Sequence, residues 1–147
     1  MELKDLASVS GKGGLYKVLK PGKAGVLLES LDDAKTRLVA GGSNRISLLE
    51  EISMYTRTKD GSQPLGEILK KIYSDFGADP GVDANSDADE LKSFMKAILP
   101  EYDEDRVYVS DIKKLVKWYG IIHSFAPEIL QEEKKDSEKV EESQPPQ

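Results

Sequence analysis

Several groups of residues in this chain have the types and spacing that chemistry requires. Ser10-Gly11-Lys12-Gly13-Gly14 sets glycines around a lysine, as a phosphate loop would. A P-loop, however, needs a glycine, four residues and then Gly-Lys-Ser/Thr, between a strand and a helix. Here Lys12 precedes Gly13, no Ser or Thr follows it, and the next segment reads as a strand, so a turn is expected. The acids Asp79, Asp83, Asp87, Asp89 and Glu90 suggest a calcium loop, which needs glycine at its sixth position and glutamate at its twelfth. Counting from Asp83 those places hold Ala88 and Phe94; counting from Asp79 the twelfth is Glu90, but the sixth is Ala84. Helix capping in a solvated loop explains these acids better. The single histidine, His123, has no second histidine or cysteine to share a metal with, and suits the C-terminal end of a helix dipole. The paired acids Glu50-Glu51 and the Glu101 to Asp105 group lie in polar segments where carboxylates are simply hydrated. No complete catalytic constellation emerges, and neither a cofactor nor a metal is expected.

Two features point to binding. Lys12, Lys17, Lys20 and Lys23 follow one another with no acid between Gly11 and Gly25, and Arg37 and Arg45 could join them across a sheet. With Tyr16 available for stacking, such a face could hold single-stranded nucleic acid. Lysines at a sheet edge also guard against strand-to-strand aggregation. Trp118 lies about 100° around a helix from the inward Tyr119, at a border position suited to docking a partner.

Composition narrows the classes further. The chain has 147 residues, 38% hydrophobic and 33% charged, with 21 basic and 27 acidic side chains and a net charge of −6. Zero cysteines exclude disulfides, thiolate metal sites and thiol nucleophiles. The charged start Met1-Glu2-Leu3-Lys4-Asp5 is unlike a signal peptide, and no apolar run approaches the ~20 residues of a membrane span, so a cytoplasmic protein is expected. Charge is unevenly divided. Residues 1–60 hold ten basic and eight acidic side chains, residues 61–130 eight and thirteen, and residues 131–147 three and six. Phosphate backbones are bound largely through Lys and Arg, so only the first segment suits nucleic acid.

The elements that must position these residues follow from periodicity. Leu3, Leu6 and Val9 suit one helical turn. Strands are expected over Leu15 to Leu19, Val26 to Leu31 and Thr36 to Ala40, with one or two more between Arg45 and Thr56; a helical turn across Leu48 to Ile52 competes there. Strand spacing of about ten residues suggests a small SH3-like, partly open β-barrel over 1–58. Residues 59–63 read as a linker. From Pro64 the period changes to 3.6: Leu65, Ile68, Leu69, Ile72, Tyr73 and Phe76 form one helical stripe, closed by Gly77. A second helix begins at the Asp87/Glu90 capping pair, with Leu91, Phe94, Met95, Ile98 and Leu99 inward, and stops at Pro100. A third spans about 110–125 with Ile112, Leu115, Val116, Tyr119 and Ile122 inward. The reading is an α+β chain with a helical module over 64–130 and a disordered acidic tail over 131–147.

The opening Leu3-Lys4-Asp5-Leu6-Ala7, the Ser10-Gly11-Lys12-Gly13-Gly14-Leu15-Tyr16 segment, Glu29-Ser30-Leu31-Asp32 and Arg106-Val107-Tyr108-Val109-Ser110-Asp111-Ile112-Lys113-Lys114-Leu115 resemble a small family of Bacteroidetes proteins. That family is built of two adjoining domains of unknown function. The resemblance covers about residues 1–130 and implies a bacterial cytoplasmic protein, with no catalytic residue to carry over. The leading expectation is a non-enzymatic binding or adaptor protein acting through protein–protein contacts. The alternative is RNA binding through Lys12, Tyr16, Lys17, Lys20, Lys23, Arg37 and Arg45.

Overall fold

The computed structural model describes residues 1–22, 25–41 and 45–131. Lys23 and the segment from 132 onward, two subjects of the sequence reading, therefore lie outside the described residues. The chain is α+β, and its described residues form an antiparallel sheet followed by α-helices. A 3-10 turn over Leu3–Asp5 leads into β1 (Leu6–Val9), followed by β2 (Tyr16–Gly22), β3 (Gly25–Ser30), β4 (Arg37–Ala40) and β5 (Ile46–Leu48). The sheet order is β4-β3-β2-β1-β5.

Two sequence expectations are corrected here. Leu6 to Val9 is a strand rather than part of a helical turn. It pairs with β2 on one side (Leu6↔Lys17, Ala7↔Tyr16) and with β5 on the other (Ala7↔Leu48, Val9↔Ile46). Partners on both sides outweigh a local spacing of only three apolar residues. The partial closure into a barrel is not formed either: β4 and β5 stand at opposite edges of an open sheet. The register shifts between Val18 and Lys20 in β2, a bulge that bends the sheet locally.

A second 3-10 turn over Leu49–Glu51 follows β5, satisfying the helical-turn reading of that segment. Next comes a separate ribbon of β6 (Ser53–Tyr55) and β7 (Ser62–Pro64), with Met54 opposite Gln63. Residues 59–63, expected as a linker, thus close this hairpin and contribute to its second strand. The Thr56–Tyr102 bridge ties the ribbon to the segment after the second helix.

The helices agree closely with the 3.6-residue pattern: α1 (Leu65–Phe76), α2 (Ala88–Ile98) and α3 (Val109–Phe125). Asp87 and Glu90 form the expected reciprocal cap. Glu90 N–H donates to Asp87 Oδ1 at 2.9 Å, and Asp87 N–H donates to Glu90 Oε1 at 3.2 Å. One apolar core joins sheet and helices. Leu6, Leu15, Leu31 and Leu49 lie in the same buried cluster as Leu69, Met95, Leu115 and Tyr119. A smaller cluster, Val9, Leu28 and Ala40, lies on the other sheet face with Tyr16, Val18 and Leu38 packed against it. Among the described residues no helix is long and apolar enough to cross a membrane.

Candidate functional site

The β1–β2 connection rises as an exposed glycine loop. Lys12 N–H donates to the Val9 carbonyl at 3.0 Å, closing a four-residue turn whose third residue is Gly11 at φ 84°. That left-handed value suits glycine, as type II turns require at this place. Ser10 N–H donates to the Arg45 carbonyl at 2.8 Å, which fixes the loop to the start of β5. Across from it stands α3, whose first turn is held by Asp111 Oδ2 accepting from Tyr108 N–H at 2.9 Å. The apolar stripe of α3 enters the core, and this orients the neighbouring flank of Lys114, Lys117 and Trp118, three and four residues apart, toward the loop. A β-carbon added to Gly13 would stand 3.6 Å from Lys117 Nζ, so loop and helix approach closely.

Between them lies a cleft of about 540 Å³. Its floor is apolar, with Ile52, Met54, Leu65, Val107 and Leu115; the half-buried Trp118 forms part of a wall. Ser8, Ser10, Ser47 and Ser53 add hydroxyls. Among the described residues five cations line it, Lys12, Arg45, Arg106, Lys114 and Lys117, against the single carboxylate of Asp111. Arg106 is engaged: its guanidinium stacks 4.3 Å from the Tyr55 ring centroid and its Nε is 3.8 Å from Asp103 Oδ2. The other four form no ion pair among the described residues. Uncompensated positive charge over an apolar floor is suited to an anionic ligand with an apolar part.

The structure divides the basic face expected from sequence. Lys12 and Arg45 line the cleft. Lys17 and Arg37 share a sheet face but flank Glu29, which lies opposite both, with Arg37 Nε 3.5 Å from Glu29 Oε2. Lys20 is exposed beyond the bulge, opposite Leu27. Tyr16 packs against the smaller cluster on the opposite sheet face from Lys17, because neighbouring strand residues alternate. Trp118 lies at the core border, as its helical angle implies. Sequence reasoning missed Lys114, Lys117, Arg106 and Tyr55 as cleft residues. The readable signal was the flank Lys114, Lys117, Trp118 beside the inward stripe of α3.

The acids of the 79–90 loop have structural partners. Asp79 Oδ1 accepts from Gly81 N–H at 2.9 Å and Asp83 Oδ1 from Asn85 N–H at 2.8 Å. His123 stacks obliquely between two tyrosines, with ring centroids 6.1 Å from Tyr73 and 6.0 Å from Tyr119. Burial pushes the Tyr119 phenol up to about 12, with a lesser contribution from Tyr73, and its O–H donates to the Gly77 carbonyl at the end of α1. Burial also raises Tyr102, helped by Glu104. Both tyrosines are structural and lie outside the cleft.

Comparison with known proteins finds two family models in tandem. One, described as a domain of unknown function (DUF5606), matches residues 3–49; the other, a domain of unknown function (DUF6852), matches residues 52–122. The break between them falls in the 3-10 turn joining β5 to β6. The chain is also similar to a Bacteroides vulgatus protein whose solution NMR structure was determined by structural genomics. Identity is 38% and the TM-score 0.62, over 82% of this chain and 84% of that one. No curated protein matches the chain.

Proposed function

We propose, for a chain that belongs to the family joining the DUF5606 and DUF6852 domains, a non-enzymatic adaptor role in which the cleft holds an acidic segment of a protein partner. The observation that carries this reading is the cleft itself, concave, apolar-floored and rimmed by four cations that form no ion pair among the described residues. An acidic segment bearing one bulky apolar side chain complements it: the side chain covers the floor while carboxylates meet Lys12, Arg45, Lys114 and Lys117. Trp118 at the wall supplies the kind of rigid aromatic surface on which interface energy concentrates. The return of β5 beside β1 and the bulge in β2 support an SH3-like strand arrangement for the first module, in a sheet that stays open.

RNA binding is the second reading, favoured by Trp118 and Tyr55 beside the cleft cations. It is weakened by Glu29, which interrupts the basic row on the sheet face. One titration separates the two. A labelled peptide of Asp, Glu and one Leu, and a labelled oligouridylate, are each added to the protein at low and moderate salt. The adaptor reading expects peptide binding that falls about tenfold or more, equal to about 1.4 kcal/mol, in the Lys114→Glu, Lys117→Glu double variant. Binding of the oligouridylate alone, with a steep salt dependence, would replace it by the RNA reading.

A further inference from the structure

We infer that the mouth of the cleft, between the Ser10–Gly14 loop and α3, is a site for a phosphate monoester, carried as a phosphorylated residue of the partner's acidic segment. This rests on the adaptor reading and adds the chemistry of one subsite. The loop is not a P-loop, since a strand follows it, but tertiary structure supplies what its sequence lacks. Lys117 comes from α3 to Gly13, close enough that a β-carbon there would lie 3.6 Å from its Nζ. Lys12 belongs to the loop itself, and Lys114 and Arg45 line the same cleft.

Two kinds of donor converge here. The backbone N–H groups of Gly11, Gly13 and Gly14 donate to no acceptor among the described residues, whereas those of Ser10 and Lys12 are used in holding the loop. The side-chain ammonium and guanidinium groups of Lys12, Arg45, Lys114 and Lys117 line the same cleft and form no ion pair among the described residues. Among the described residues one carboxylate, Asp111, lines the cleft, its Oδ2 accepting from the Tyr108 N–H, and the lining stays net cationic at five against one. A carboxylate ligand would bring a single charge to this cluster. A phosphate monoester brings about −1.5 to −2 at neutral pH and three strong acceptor oxygens, enough for both backbone and lysine donors. Lys117 Nζ comes within contact distance of the Gly13 position, so the ammonium and the loop amides can face one oxygen shell together.

The test uses the full chain and three probes. Inorganic phosphate is titrated at constant ionic strength while the amide resonances of Gly11, Gly13 and Gly14 are followed by NMR, with acetate as the comparison anion. A peptide of Asp, Glu, one Leu and one phosphoserine is compared with its unphosphorylated counterpart, and adenosine monophosphate is the third probe. The inference expects saturable shifts at the glycine amides with phosphate but not acetate. It also expects the phosphopeptide to bind at least about tenfold tighter than its counterpart, and that preference to vanish in a Lys114→Gln, Lys117→Gln variant. Both lysines are exposed, so that variant keeps the core, and an unchanged far-UV spectrum checks it. Equal binding of the two peptides overturns the phosphate site while leaving the adaptor reading standing. Binding of adenosine monophosphate with neither peptide bound overturns the adaptor reading and the protein source together.

Discussion

Tyr119 places its ring in the core and its hydroxyl at the end of another helix, donating to the Gly77 carbonyl that closes α1. Tyr119→Phe keeps the ring and leaves that carbonyl to find water, so the expected loss at neutral pH is about 1 kcal/mol. The same residue has a signature in alkali. Its folded pKa is raised to about 12 from the ordinary 10.0. An unfolded chain releases this proton first, so the folded state holds more protons between those values and stability falls as pH rises from 10 to 12. Urea denaturation across that range should show this fall in the native chain and a shallower one in the variant; identical slopes would remove Tyr119 as its source. The same single-residue view shows why the cleft was only partly legible. Lys12, Arg45 and Trp118 could be singled out because local clustering and helical angle mark them. Lys114 and Lys117 look like ordinary solvated lysines until packing brings α3 against Gly13.

Elements differ in how much of their stability is local. The capping pair of α2 is local in the full sense, two bonds between residues three apart, and it was legible in the sequence together with the 3.6-residue stripes of all three helices. Asp87→Ala should cost about 1 kcal/mol, whereas Asp79→Ala, which removes a single bond in an exposed loop, should cost less; the difference in urea midpoints measures it. The strands were less legible because their pairing is not local. β1 is four residues long and has its meaning only between β2 and β5; β6 falls where a fifth strand was expected, but its partner β7 was hidden in a polar stretch that reads as a linker. Gly25 at the start of β3 shows the same dependence. Its φ is 147°, and an added β-carbon would lie 2.2 Å from the Ala40 carbonyl oxygen on β4. Gly25→Ala must move one strand away from the other, and a loss of about 1–3 kcal/mol or more is expected in the same denaturation assay.

The whole molecule raises the question of how many folding units it contains, since the sequence reads as two modules and the family models also divide it in two. The core does not follow that division. Leu6, Leu15, Leu31 and Leu49 from the first part bury themselves with the helices of the second, and what the sheet keeps on its other face is the small Val9, Leu28 and Ala40 cluster. A fragment of residues 1–58 would expose its largest apolar side chains and retain too little buried area to offset the ordering of its backbone. It is expected to be unfolded in isolation, as read by a lack of dispersion in its amide spectrum. In the full chain the single tryptophan, Trp118, stands at the cleft between sheet and helices and reports on their docking, while far-UV circular dichroism is dominated by the helices. Fluorescence and dichroism should therefore give one coincident urea transition. Leu6→Ala, a change in the sheet, should shift both probes together by about 2–5 kcal/mol. A dispersed spectrum from the fragment, or a Leu6→Ala variant in which fluorescence moves while the helical signal stays, would show two independent units with the cleft as a mobile interface between them.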